Sequence, residues 1–353
     1  MCIFRYSGTA VLLLSAAFLA AGCGKPCKLH ERIGSFFGSP YGIEFPDSGR
    51  MGKHCYNGGY DECNGMVYTC KGGFIDIAHV RESADRTAYL AELTFQNLMM
   101  ERTEFSFQII EPAHYYVKIQ YPPNWAGLGF DEKAAQAEPV AVLLGQYLAQ
   151  KTTVWHEIIT WFGFASTGVF SEQVSSFSWE DPYSDLMGTD LAVMAMEDTR
   201  HSYEDAMTSL LNEQLVALDA QTAEISKNAM EIIENQWYTT KVHFLIRMFK
   251  RNFDIGTDDG YITPWLVPGI CPDATPLPKP VPNLELLKPL GFCAELEIEP
   301  KELEKYEIFN ALGLESHARI RPEVHFPGIM EFIKKEAYKI YTPEVELPKL
   351  KPL

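Results

Sequence analysis

Seven prolines crowd one short stretch of the chain: Pro264, Pro268, Pro272, Pro276, Pro278, Pro280 and Pro282. Proline has no amide proton to give a helix, and its ring clashes with the turn before it. This stretch is therefore read as extended chain that lies over a body folded elsewhere. The body itself shows helical spacing. At 74–98, Ile77, Val80, Ala84, Ala88, Ala91 and Phe95 share one face. From 131 to about 253 the spacing predicts helices over 132–149, 151–163, 179–197, 203–236 and 240–252, with two more near 300–312 and 327–339. Between the first helix and this group, 105–121 alternates apolar and polar residues around Glu111-Pro112-Ala113-His114, the pattern of a short β-hairpin. The expected class is mainly α with a small β-hairpin element. A Cys-rich irregular N-terminal region (23–72) precedes a mainly helical body (73–353), and a Pro-rich wrap (262–290) covers it.

The first residues read as a targeting segment. Arg5 provides a short positive region, and 9–21 is apolar or small, too short to span a bilayer. Leu19-Ala20-Ala21-Gly22-Cys23 then resembles a bacterial lipobox, with Ala20 where the strongest examples carry Leu. The resemblance implies a signal peptide over 1–22, removed before Cys23, and fatty acyl chains of the palmitate kind on Cys23 as the lipid anchor. Each buried methylene of such a chain contributes about 0.8 kcal/mol, so more than one chain makes anchoring durable. Membrane lipid is thus the one partner expected. Gly24 after the cysteine favours the outer membrane, facing the periplasm, if the cell has one. A net charge of −17 argues against nucleic acid as a partner, and against docking on anionic lipid by charge.

Six cysteines remain after Cys2 and Cys23: Cys27, Cys55, Cys63, Cys70, Cys271 and Cys293. An even number in an exported chain reads as up to three disulfides, with the connectivity open. Cys271 and Cys293 flank the Pro-rich stretch and are expected to staple it. Zinc–thiolate binding needs cysteines two to four residues apart, which the spacing of Cys55, Cys63 and Cys70 does not offer.

Three segments carry unusual chemistry: Thr69-Cys-Lys-Gly-Gly-Phe-Ile-Asp-Ile-Ala-His79-Val-Arg81, Trp155-His-Glu-Ile-Ile-Thr-Trp-Phe-Gly163, and Ser175-Ser-Phe-Ser-Trp-Glu-Asp-Pro-Tyr-Ser-Asp-Leu-Met-Gly188. With the lipobox they resemble a family of bacterial lipoproteins classed only as a domain of unknown function. The resemblance covers most of the mature chain and implies no activity, so the residues have to be read for themselves.

His156-Glu157-x-x-Thr160 is the zinc-protease helix motif with Thr in place of its second histidine. Glu180 and Asp181 follow Thr160 by twenty and twenty-one residues, near the spacing of a third, acidic ligand, and Asp185 lies one turn beyond Asp181. On the 74–98 helix, Asp76, His79, Ser83 and Thr87 form a polar sector opposite the charged strip of Arg81, Glu82, Asp85 and Glu92. A metal site of His79, His156 and Asp181, with Glu157 as general base, has the donor set of a catalytic zinc centre. Asp76, Glu180 and Asp185 are expected around it, a carboxylate there holding a histidine tautomer. The cofactor itself is left open, zinc being one candidate. The reaction class would be hydrolysis of an envelope polymer or peptide.

Two other readings stand beside this one. The 151–163 helix is amphipathic, so its polar side can be plain solvated surface and the protein a non-catalytic structural or binding lipoprotein. Cys70-Lys-Gly-Gly-Phe also resembles the nucleophile segment of cell-wall cysteine peptidases, with His114 as the base. Ser175, Ser176 and Ser178 lack the elbow of a serine hydrolase.

Overall fold

The computed structural model describes residues 29, 32, 43–165, 173–242 and 245–341. The expectations for the signal peptide, for Cys23 and for Cys27 lie outside the described residues. Within them the protein is mainly α with a few short antiparallel strands. No helix among the described residues is long and apolar enough to cross a membrane.

The centre of the fold is helix α1, Ile77–Met99. A hairpin leads into it: β1 (Met66–Thr69) pairs antiparallel with β2 (Gly73–Asp76), so the end of the region expected to be irregular is sheet. Helix α2 (Phe130–Trp161) and helix α3 (Asp181–Glu197) pack along α1 on two sides. Two glycines allow the close approach. A Cβ at Gly145 of α2 would lie 2.6 Å from the Ala91 amide, and one at Gly188 of α3 would lie 2.2 Å from the Val80 carbonyl oxygen. Small residues at helix crossings let backbones meet where larger side chains hold them apart.

A third side of α1 faces the N-terminal region. The charged strip is buried there: Arg81 is 0% exposed and Asp85 2%. Arg81 meets Glu62 at 3.2 Å and donates to the Met51 carbonyl. Asp85 takes Arg32 at 2.6 Å, His54 Nε2 at 3.0 Å and the Asn57 amide at 2.7 Å. Arg32 also pairs with Glu62. Helical spacing shows which residues share a face but not what covers that face, and here a distant loop does.

Helix α2 is one helix where two are expected, because nothing at Gln150 or Lys151 breaks it. It contains Pro139. That proline lies on the exposed side of the helix, where a carbonyl left without its amide partner costs least. The expected 203–236 helix is two, α4 (Tyr203–Ala217) and α5 (Ala223–Ile233). Between them Asp219 takes φ 61, Thr69 bridges Ala220, and the Gln221 amide donates to the Tyr68 carbonyl. The chain leaves the helix to lie along β1. The expected 240–252 helix is a hairpin instead, β5 (Tyr238–Val242) with β6 (Leu245–Met248). Thr239, Thr240 and Val242 are β-branched and favour extended chain, and tertiary packing of Trp237, Tyr238 and Met248 settles the competition.

The hairpin expected at 105–121 is present as β3 (Glu104–Phe107) and β4 (His114–Gln120). The Pro-rich stretch is extended as read, with a two-residue pairing of β7 (Tyr261–Ile262) and β8 (Lys279–Pro280). It does not stay extended to its end. A 3-10 turn at Leu284–Leu290 leads into β9 (Cys293–Glu299), which joins β4 and makes a three-stranded sheet of order β3–β4–β9. Phe107, Tyr115, Val117, Leu296 and Ile298 point from that sheet into the core shared with α2. Helices α6 (Lys305–Leu312) and α7 (Pro322–Tyr341) close this side.

Cys70 forms a disulfide with Cys271, tying the β1–β2 turn to the Pro-rich stretch across 201 residues. The expected pairing of Cys271 with Cys293 is therefore wrong: Cys293 is an exposed thiol on β9, and Cys55 and Cys63 are also free. The distance along the sequence hid the partner.

Candidate functional site

Three helix ends meet at one place. Helix α1 starts with Asp76 as its N-cap, whose Oδ1 accepts from the Ala78 amide at 2.8 Å, and His79 follows on the first turn. Helix α3 starts with Asp181. Its first turns are stitched to α1, because the Asp76 amide donates to Ser184 Oγ at 3.0 Å and Ser83 Oγ donates to Asp185 Oδ1 at 2.7 Å. The C-terminal part of α2 brings His156 and Glu157.

His79 Nδ1 lies 3.0 Å from Asp181 Oδ1 and 3.5 Å from Asp76 Oδ2. The contact with Asp181 lacks hydrogen-bond alignment, so charge rather than direction holds it. His156 Nδ1 bonds Glu111 Oε1 at 2.8 Å. Glu111 sits in the loop between β3 and β4 and is 2% exposed. Arg86 supports this corner, donating to Thr153 Oγ1 at 3.0 Å and to Glu82. Glu157 Oε2 accepts the Phe177 amide. Phe177 adopts φ 54, a left-handed conformation costly for an aromatic residue. It is held there on both sides: the Asn252 amide donates to its carbonyl at 2.9 Å, and Arg251 donates to Ser176 Oγ at 3.1 Å. A strained residue braced this firmly places the third motif segment against Glu157.

Burial sorts these groups into a rim and a floor. The His79 and His156 side chains are 30% and 28% exposed, whereas the carboxylates of Asp76, Asp181 and Glu111 are at most 7%. Asp185 and Glu180 are buried as well, and Glu157 is half-buried. Burial works against a charged His79, but Asp181 and Asp76 override it and hold its pKa well above the usual value. Burial likewise opposes His156, and the Glu111 hydrogen bond and charge bring it up to about 10. Glu157 is pushed up to about 8 by burial and by the charge of Asp181, with His156 partly offsetting them. Burial raises Asp185 to about 7 and Glu180 well above the ordinary carboxylate range. Asp181 and Glu111 are burdened by the same burial, yet their histidine partners hold both below the ordinary value. Each imidazole thus gains from its carboxylate neighbour what burial takes away, and Glu157 holds its proton more tightly than a free carboxyl does.

The site residues read from sequence come together only in part. His79, Asp181 and Asp76 meet, and Glu157 lies within electrostatic reach of Asp181. His156 turns its Nδ1 to Glu111 instead of joining them. The expected metal triad is not assembled: among the described residues no group of three or more His, Cys, Asp or Glu side chains is placed to hold a metal ion. Glu180 accepts from Ser178 Oγ at 2.9 Å and Asp185 from Ser83, so neither holds a histidine. Thr160 bonds the carbonyls of its own helix. The cysteine reading fails outright, because Cys70 is a disulfide and has no thiolate to offer, while His114 opens β4 opposite Glu299. Sequence reading missed Glu111 and Arg86. Glu111 was visible as an acid in a hairpin loop, but nothing local showed that the loop reaches α2.

A family model described as "Protein of unknown function (DUF4056)" matches residues 43–264, a span that includes all three motif segments and Glu111. No curated protein matches the chain, and no solved structure does.

Proposed function

The chain belongs to the DUF4056 family, and from that premise we propose that it is a lipid-anchored envelope hydrolase whose proton transfers run through Glu157 and His156. The observation that carries the reading is the pair itself. A carboxyl group raised to about 8 and an imidazole raised to about 10 are neighbours on α2, and both are half-buried. Acid–base catalysis works best with groups whose pKa lies near the working pH, and burial at a cleft is how a carboxyl gets there.

In the ionised form, Glu157 takes a proton from water as the water oxygen bonds to the electrophilic centre. The bond to the leaving group breaks, and the leaving atom takes the proton of the imidazolium at His156. Glu157 then loses its proton to solvent and His156 regains one, so the net change is addition of water. Glu111 acts on His156 as a positioning residue, fixing which ring nitrogen faces inward. Asp181 and Asp76 act on His79 by charge alone. No step depends on a metal.

Anchoring at Cys23 and a place in the cell envelope belong to this proposal, supported by the lipobox-like sequence and by the disulfide, which suits an oxidising compartment. Labelled palmitate taken up by the wild type and lost in Cys23→Ser would bear on it; equal labelling of both would end it. For the reaction, the full-length lipoprotein is incubated with envelope peptides and polymers in oxygen-isotope-labelled water. Label should enter one product, and Glu157→Gln should slow its appearance by about 10²–10⁴-fold. Label entering at the same rate with Glu157→Gln would refute the assignment.

A second reading has one observation in its favour. The same acids also tie helices together, as Ser83 with Asp185 shows, and that is what a non-catalytic structural lipoprotein needs. It predicts that Glu157→Gln leaves every product level unchanged.

A further inference from the structure

Arg32 lies far from the helices in sequence, yet its side chain is only 6% exposed. It fills a socket made of acceptors from the body. Nη1 pairs with Glu62, while Nη2 lies 2.6 Å from Asp85 Oδ2 and donates to the Cys55 carbonyl at 2.9 Å. A planar guanidinium held on both prongs by buried carboxylates is fixed in one orientation. The backbone that bears it is fixed with it, and so the Arg32 amide falls 3.3 Å from Glu82 Oε2.

From Glu82 the contacts run on without a gap. Its other oxygen, Oε1, takes Nη2 of Arg86. Arg86 is buried, and its Nη1 donates to Thr153 Oγ1 at 3.0 Å. Thr153 gives its own hydroxyl proton to the Ala149 carbonyl, which leaves a lone pair for Arg86. It sits on α2 one turn before His156 and Glu157. A second route leads to the same corner. Leu29 and Arg32 wall a small void together with Glu82, Arg86, Ile109 and Ile110, and the next residue, Glu111, is the one bonded to His156.

We propose that Arg32 is a positioning residue: docked in its socket, it sets through Glu82 and Arg86 the turn of α2 that carries His156 and Glu157. Glu82 is the joint. One oxygen holds the Arg32 amide and the other holds the Arg86 guanidinium, so each partner limits how the carboxylate can turn for the other. With Arg32 out of its socket, Glu82 is free to rotate and Arg86 loses the fixed partner that aims it at Thr153. The corner is thus complete only while the residue that joins the body to the N-terminal segment is docked. Its bearing on catalysis rests on the hydrolase reading, whereas the relay itself rests on these contacts alone.

The test compares Arg32→Ala, Glu82→Gln and the double variant in the full-length lipoprotein, by hydrogen exchange of backbone amides. Gln keeps the shape of Glu82 but has one acceptor oxygen where two are used. Each single variant should speed exchange at residues 153–157 by about tenfold or more, while the crossing of α1 and α3 near Gly188 keeps its wild-type rate. The double variant should exchange no faster than the faster single one, because both substitutions break one chain of contacts. Effects that add in full would overturn the proposal, and so would wild-type exchange at 153–157 in folded Arg32→Ala. Should Arg32→Ala not fold, Glu82→Gln decides alone: unchanged exchange in that variant overturns the relay. In the isotope-labelled water assay, label entry should slow by about 10–10²-fold in either single variant. Coupled exchange in a protein that hydrolyses nothing would end the hydrolase reading and leave the relay standing. Glu157-dependent hydrolysis with uncoupled exchange would do the reverse.

Discussion

Asp181 Oδ1 sits 3.0 Å from His79 Nδ1 and so couples the first turn of α3 to the first turn of α1. Each group changes the proton affinity of the other: the ring lowers the pKa of the carboxyl, and the carboxyl raises that of the ring against the pull of burial. Asp181→Asn removes the largest force that opposes desolvation of the ring. The His79 titration, followed by NMR, should move down in pH, and an unmoved midpoint would show that Asp76 alone suffices.

The hydrolysis rate should follow a bell against pH. It should rise as Glu157 ionises near 8 and fall as His156 loses its proton near 10. Glu111→Gln keeps the ring in place but weakens the charge behind it, so the alkaline limb should move to lower pH while the acid limb stays. A rate that follows pH without either limb would count against both assignments.

Stability should decline from mildly acidic to alkaline pH. Asp185, Glu157 and His156 all have folded pKa values above their unfolded ones, so each favours the fold when protonated. Those contributions are complete below the unfolded values and are lost as pH rises through about 7, about 8 and about 10 respectively. Asp181 and Glu111 act the other way, and their contribution disappears on acidification below the ordinary carboxylate range. Thermal unfolding should therefore show a higher Tm near pH 5 than near pH 9, and the reverse order would contradict the assigned directions.

Gly188→Ala should lower stability by about 1–3 kcal/mol, because its new methyl meets the Val80 carbonyl and α3 has to move off α1. That shift carries Asp181 away from His79, so the His79 titration should fall as well. Denaturant unfolding and the same NMR titration read both effects; a neutral substitution would mean that the helices slide freely.

Removing the Cys70–Cys271 bond by Cys70→Ser with Cys271→Ser should cost about 2–5 kcal/mol. The Glu157-dependent rate should survive, since neither sulfur belongs to the site. Loss of rate without loss of fold would return Cys70 to the chemistry.

What could be read in advance was whatever repeats locally. The α1 stripe from Ile77 to Ala91 and the alternation along β3 and β4 both show the period of their element, and both elements are there. His79, Glu157 and Asp181 stood out because their types and spacing are rare on amphipathic helices. Glu111 did not, since its meaning comes from a contact 45 residues away in sequence. For the same reason the spacing around Arg81 and Asp85 did not show that Glu62 and Arg32 would pair with them. The strands at Tyr238–Val242 and Leu245–Met248 were lost to a weak helical period that tertiary packing overrides.

The grip of Arg32 on α1 also sets a leash. Arg32 is locked to Asp85 and Glu62, and its amide reaches Glu82, one turn along the helix from His79. On the reading that Cys23 carries the lipid, eight residues lie between it and that lock. Stretched to the full, they cover at most about 30 Å. On that reading the body would stay close to the bilayer, and His79 would work in a thin layer against it. Reach, as much as chemistry, would then select the substrate: bonds close to the lipid surface would be within range, and those farther out would have to come to it.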